Sequence, residues 1–208
     1  MCLYVKRRPT DLEYECPSPS VATEPIRCLK VVRKVHTPDP SSGMDETVEY
    51  KPPIRDWYGF RYKIGGTVGM GDFRFENEPC RENTLQATAS GCMAAHLMGY
   101  EHEVNYGLHT YRPDSQGARF LYDALKHQIN RRDNDDNEAP FFPSGTRTGW
   151  DEAVVLECEI PAGALYYEGV SEESDSVDTR GYASDRLTVL RELSKEEVEE
   201  LPEPPAHY

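Results

Sequence analysis

Cys80, Cys92, His96 and His102 bring two thiols and two imidazoles into one stretch, the donor types of a zinc site. Zinc takes such donors tetrahedrally, usually with its ligands paired at close spacing. Cys92 and His96 stand one helical turn apart, yet there is no CxxC pair and the spacing fits no familiar zinc pattern, so no metal is expected. Asp133, Asp135 and Asn137 alternate as a calcium loop begins, without the glycine at its sixth position or the closing glutamate. Gly65-Gly66-Thr-Val-Gly69-Met-Gly71-Asp72 has the glycine content of a phosphate loop. No Gly-Lys-Ser/Thr follows it, and a glycine-rich hairpin is expected instead. Trp57-Tyr-Gly-Phe-Arg-Tyr-Lys-Ile64 gathers aromatics around Gly59, as a bulged strand in a core or as the wall of an aromatic pocket. Phe141 and Phe142, between two prolines, read as an apolar-tipped loop that serves as a lid or a contact site.

These residues belong to a chain of 208 residues, long enough for one sizeable core. A net charge of −14 argues against wrapping nucleic acid, whose phosphates call for concentrated Lys and Arg. It fits a self-repelling soluble protein or one that steers toward a basic partner. No run of about 18 apolar residues is present, so no membrane span is expected. Met1-Cys-Leu-Tyr-Val-Lys-Arg-Arg8 has the wrong order for a signal peptide, and the expected compartment is the cytoplasm. Cys28 and Cys158 fall inside strand-like runs and read as small core residues.

The elements that would position any site are legible in part. In Val154-Val-Leu-Glu-Cys-Glu-Ile160, Val154, Leu156, Cys158 and Ile160 alternate with Glu157 and Glu159, which predicts a half-buried strand ended by Pro161 and turned at Gly163. Residues 26–35 are β-branched and predict a first strand, with a short return strand over 46–50. Residues 84–99 predict a helix of small residues closed by Gly99. A strand over 106–111 is followed by Asp114, placed to cap a helix whose stripe is Ala118, Leu121, Tyr122, Leu125 and Ile129. Residues 171–179 read as a mobile loop, and 181–185 introduce a strand over 186–193. Ser194 and Glu197 form a capping box for a short acidic helix. The expected fold class is α+β: a single domain over 26–193, a mixed or antiparallel sheet with two or three helices, and insertions near 80–102 and 132–150. A proline-rich arm (1–25) precedes it and an acidic proline-rich tail (194–208) follows it.

The opening Met-Cys-Leu-Tyr-Val-Lys, Tyr62-Lys-Ile-Gly65, Gly107-Leu-His-Thr-Tyr111, Val-Val-Leu-Glu-Cys-Glu-Ile-Pro-Ala-Gly-Ala and Tyr-Ala-Ser-Asp185 together resemble a group of short proteins from tailed phages and giant viruses. The resemblance covers about half of the chain in scattered blocks and implies a viral source rather than a reaction. A more distant resemblance is to the ADP-ribosyltransferase fold of the poly-ADP-ribose polymerases, through Gly107 to Tyr111, Ala118 to Tyr122, Val154 to Gly163 and Tyr182 to Leu190. It implies an NAD pocket lined by Arg61, His109, Tyr111, Tyr122 and Tyr182, with His109 and Tyr111 on the ribose and nicotinamide. Read from the residues alone, His109 is first an ordinary strand residue. The family's early motif has only Tyr58-Gly59-Phe60-Arg61 to match it, and Arg180 or Gly181 stands near where the ribose-polarising glutamate belongs. An oxocarbenium-like transition state needs that carboxylate.

The expected function is therefore a non-catalytic viral accessory protein, in the host cytoplasm, that binds a host protein or a nucleotide-like ligand. Behind it stands a virion component whose termini clasp a neighbour, and then an NAD-dependent transferase. No nucleic acid, membrane or resident cofactor is expected, NAD being the one alternative.

Overall fold

The computed structural model describes residues 3–6, 16–38, 46–52, 61–72, 74–75, 78–79, 85–134, 150–171 and 177–205. The strands are β1 (Leu3–Val5), β2 (Ser20–Val21), β3 (Ile26–Pro38), β4 (Glu46–Lys51), β5 (Thr67–Gly69), β6 (Arg74–Phe75), β7 (Glu78–Pro79), β8 (Thr88–Ala89), β9 (His102–Val104), β10 (Leu108–Tyr111), β11 (Trp150–Ile160), β12 (Leu165–Ser171), β13 (Arg180–Ser184) and β14 (Arg186–Glu192). The helices are α1 (Met93–Leu97), α2 (Gly117–Asn134) and α3 (Lys195–Glu199), with a 3-10 turn at Met70–Asp72. Among the described residues 12 strands join one antiparallel sheet in the order β5-β14-β11-β3-β10-β13-β12-β1-β9-β8, with β2 added to β12 and β4 to β3. The chain is thus broadly α+β. The parallel pairing that a mixed sheet would need does not occur among its described pairs.

The β-branched runs make the longest ladder: β11 lies against β3 from Trp150 opposite His36 to Ile160 opposite Ile26. Both faces of this pair are covered. Val154, Leu156, Cys158 and Ile160 pack with Cys28, Val32 and Val189 on one side. Val155, Leu29 and Val31 meet Ala118, Tyr122, Leu125 and Ile129 of α2 and Val198 of α3 on the other. The α2 stripe therefore sits as its spacing predicts. β11 is not the half-buried strand expected: Glu157, read as solvent-facing, has a side chain only 6% exposed, held by Arg27 and Arg191. A carboxylate is tolerated there because two guanidiniums satisfy it.

Other expectations are corrected. The helix expected over 84–99 shrinks to α1. Thr88 and Ala89 pair with Glu103 and His102 of β9, and Ser90-Gly91 separates that rung from the helix. Small residues supply no broad apolar stripe to hold a longer helix on the sheet. Its end is as expected. Gly99, at φ +78°, lets its own N–H reach His96 O and the Tyr100 N–H reach Ala95 O, a Schellman closure. Asp114 does not cap α2, which begins at Gly117; its carboxylate binds Arg112 and Arg180. Residues 181–184 belong to a strand of their own, β13, and Asp185 marks the corner to β14, its carboxylate accepting the Leu165 N–H.

The termini are also part of the body. Leu3–Val5 is a buried strand between β12 and β9 rather than the start of a free arm, because its three apolar residues find partners on both edges. Gly169 makes this possible, since a Cβ there would stand 2.1 Å from Tyr4 O. In the tail the capping box of Ser194 and Glu197 forms as read from the sequence. Arg119 and Gln116 of the α2 region then donate to Val198 O and Glu203 O, tying residues 198–203 down. No helix among the described residues is long and apolar enough to cross a membrane.

Candidate functional site

β12 is flanked by β13 along one edge. On the other, β2 pairs only with Leu165 and Tyr166, and β1 only with Val170 and Ser171. Where β1 and β2 part, a cavity of about 380 Å³ opens over Glu168 and Gly169, walled by Lys6, Ser18, Tyr100 and Tyr166 and bordered by Arg180. Its far wall is stapled in place by the Tyr167 hydroxyl, which donates to Pro17 O at 2.7 Å and accepts from Ala87 N at 3.2 Å. The Lys6 ammonium sits 4.5 Å from the centroid of the Tyr100 ring, a cation–π contact. Tyr166 meets Tyr182 edge to face at 6.0 Å.

A charged network borders the same place. Arg112 grips Asp114 with two bonds of 2.9 and 3.0 Å and reaches Glu168 at 2.8 Å. Arg180 grips Asp178 at 2.9 and 2.7 Å and touches Asp114 at 3.5 Å. Bidentate guanidinium–carboxylate pairs are directional and strong. Arg112 accordingly holds the Asp114 carboxyl below its ordinary range, and Arg180 does the same for Asp178.

A second cavity, of about 200 Å³, shares Tyr100 and Val170 with the first and lies beneath α1. Tyr4, Ala95, Met98 and Val177 make it mostly apolar. Ser171 borders it, its hydroxyl oxygen buried and without a hydrogen-bond partner among the described residues. Met93 (73% exposed) and Leu97 (83%) of α1, with Met98 (46%) at its cap, are turned to solvent, and of the three Met98 lines the cavity. Large apolar side chains gathered on one exposed turn mark a contact surface, and methionine adapts to varied partners.

The residues expected to line an NAD pocket are not gathered in one cleft. Tyr111 and Tyr122 pack together in the core under α2. Tyr182 stands opposite Thr110 and joins the other core cluster, because alternation along β10 turns Thr110 away from the side of His109 and Tyr111. Arg61 is exposed and bound to Glu49 at 2.8 Å. Both ring nitrogens of His109 are buried, the imidazole faces the Asn105 backbone, and Lys30 Nζ donates to the His109 carbonyl at 2.6 Å. Burial, then the charge of Lys30, pushes the His109 imidazole down to about 3, so it is neutral at physiological pH. Of the four weak zinc candidates, His96 Nε2 contacts Ser90 O at 2.8 Å and His102 is buried in β9. Among the described residues no group of three or more His, Cys, Asp or Glu is placed to hold a metal. Cys80, Phe141, Phe142 and residues 57–60 lie outside the described residues.

Sequence reasoning missed Lys6, Met93, Leu97, Tyr100, Tyr166 and Ser171. Met93 and Leu97, four apart, fell inside the expected small-residue helix without being singled out; nothing local marks the others. No family model, curated protein or solved structure matches the chain.

Proposed function

We propose that the protein is a non-catalytic binding protein, of viral type on the resemblance above, that takes a protein partner on the surface formed by α1 and the two cavities beside it. One observation carries this: Met93, Leu97 and Met98 expose large apolar side chains on one short helix and its cap, next to a mostly apolar hollow that Ala95 and Met98 line. The net charge of −14 favours a partner with a basic surface, through faster encounter and rejection of acidic competitors. A host protein is the first expectation. A virion role that uses the termini as clasps is weighed down by the packing of Leu3–Val5 and Val198 on the chain's own body. The dispersal of His109, Tyr111, Tyr122 and Tyr182 over different sides of the sheet weighs against a shared NAD pocket.

A photo-crosslinking residue at position 97 tests this, with the same residue at exposed Lys63 as control, in the infected host. A discrete adduct from position 97 and none from 63 is expected. Identical adduct patterns from both positions remove the surface from consideration. A second reading, a nucleotide-like ligand in the larger cavity, is favoured by Lys6 standing over Tyr100 beside Tyr166. Nucleotides should then raise the melting temperature of the wild type and not of Lys6→Gln, and equal responses would exclude it.

A further inference from the structure

We infer that the opening between β1 and β2 receives the extended C-terminal end of the partner's chain, which adds to β12 as a short strand and sets its carboxylate on Lys6. The inference rests on the protein-binding reading above and assigns the larger cavity to that partner. The ladder is the first ground. Successive residues of a strand turn their backbone groups to opposite edges. Leu165 O accepts from the Asp185 N–H at 3.0 Å and the Ser171 N–H donates to Thr179 O at 3.2 Å, both on the side of β13. Ala164 O accepts from the Ala22 N–H at 2.9 Å on the other edge. Residues 166, 168 and 170 therefore turn their N–H and C=O to the edge that β2 and β1 share. Tyr166 pairs there with Ser20 and Val170 with Tyr4, and Glu168 falls between, where neither strand reaches. β2 starts only after Pro19, which has no N–H to give a ladder, and Lys6 leaves the end of β1 to stand over Tyr100. A strand residue with both backbone groups unmet is a template for another extended chain.

Length is the second ground. Only the positions opposite Tyr167, Glu168 and Gly169 are open, about 10 Å at roughly 3.3 Å per residue. β2 and β1 close that interval in line at both ends, so it suits a chain end rather than a strand passing through. Charge is the third. Of the cavity's charged side chains, Glu168 is held by Arg112 and Arg180 by Asp178, while Lys6 meets no carboxylate among the described residues. The cavity thus keeps one uncompensated cation inside a chain of net charge −14. A terminal carboxylate answers the first, and a basic remainder of the partner answers the second.

The probe is a fluorescent Lys/Arg-rich peptide that ends in Thr-Val-Thr-Val with a free carboxylate, titrated into the full chain by anisotropy. It is compared with its C-terminal amide and with a version N-methylated along the last three peptide bonds, which cannot donate to a ladder. The free acid should bind at least about tenfold tighter than either. Lys6→Gln, at an exposed position, should erase the margin of acid over amide. In the free chain the Glu168 amide should exchange with solvent at least about tenfold faster than those of Tyr166 and Val170, and saturation with the peptide should slow it. An acid peptide no tighter than its amide or methylated forms, no binding at millimolar peptide, indifference to Lys6→Gln, or a Glu168 amide as protected in the free chain as Tyr166 and Val170 each overturns the inference. So does stabilisation by nucleotides that Lys6→Gln abolishes, which gives the cavity to the other ligand. If any of these results came with a specific adduct at position 97, the docking surface would stand and only the strand addition would fall.

Discussion

Replacing His109 by leucine should make the protein less sensitive to acid, by an amount that follows from its surroundings. The imidazole is held at about 3 in the folded chain against 6.5 in the open one, burial being the larger cause and Lys30 the next. Below pH 6.5 the unfolded chain takes up a proton that the folded chain refuses until about pH 3. Stability therefore rises with pH across this window; it is fully present above 6.5 and drains away as pH falls toward 3. One refused proton is worth about 1.4 kcal/mol per pH unit, so His109 alone should cost the wild type about 2 kcal/mol between pH 7 and pH 5. Urea unfolding at both pH values measures it. The wild type should lose about 2 kcal/mol more than His109→Leu on acidification, the other histidines contributing equally to both. At pH 7 the variant should have about the stability of the wild type, since two buried polar nitrogens disappear together with the contact to the Asn105 backbone. Equal acid losses in the two proteins, or a His109 ring that titrates by NMR near 6.5 in the folded state, would refute the reasoning.

Three further outcomes are expected. Glu157→Gln should destabilise by roughly 1–3 kcal/mol in urea unfolding, because Arg27 and Arg191 lose a buried carboxylate; the half-exposed arginines keep the loss below that of a fully buried pair. Cys28 and Cys158 are fully buried, and burial pushes the Cys28 thiol up to about 12. A thiol-exchange reagent at pH 8 should therefore modify exposed Cys16 in the native protein and spare both until it unfolds. Gly169→Ala puts a methyl 2.1 Å from Tyr4 O and should cost roughly 1–3 kcal/mol, with faster amide exchange in β1 as its signature; unchanged exchange there would contradict the close packing.

Much of the scaffold is written locally. The β-branched runs of β3 and β11, the stripe of α2, the closure at Gly99 and the capping box at Ser194 depend on near neighbours, and their residues show the matching periods or signals. Period alone also suggested that β11 was half-buried. Whether Glu157 meets water depends on Arg27 and Arg191 arriving from β3's leading edge and β14, and no local pattern holds that information. The same limit hid β1, whose three residues become a strand only because β12 and β9 flank them.

The amino-acid sequence by itself determined which segments could be strands or helices and which face of α2 would be buried, since those are matters of neighbours along the chain. Tertiary structure alone decided that Tyr182 turns away from His109, that β1 and β2 leave an opening over Glu168, and that Met93 and Leu97 of α1 face solvent. Each of these depends on the register between strands far apart in the chain, and a shift of one residue there exchanges one face of the sheet for the other.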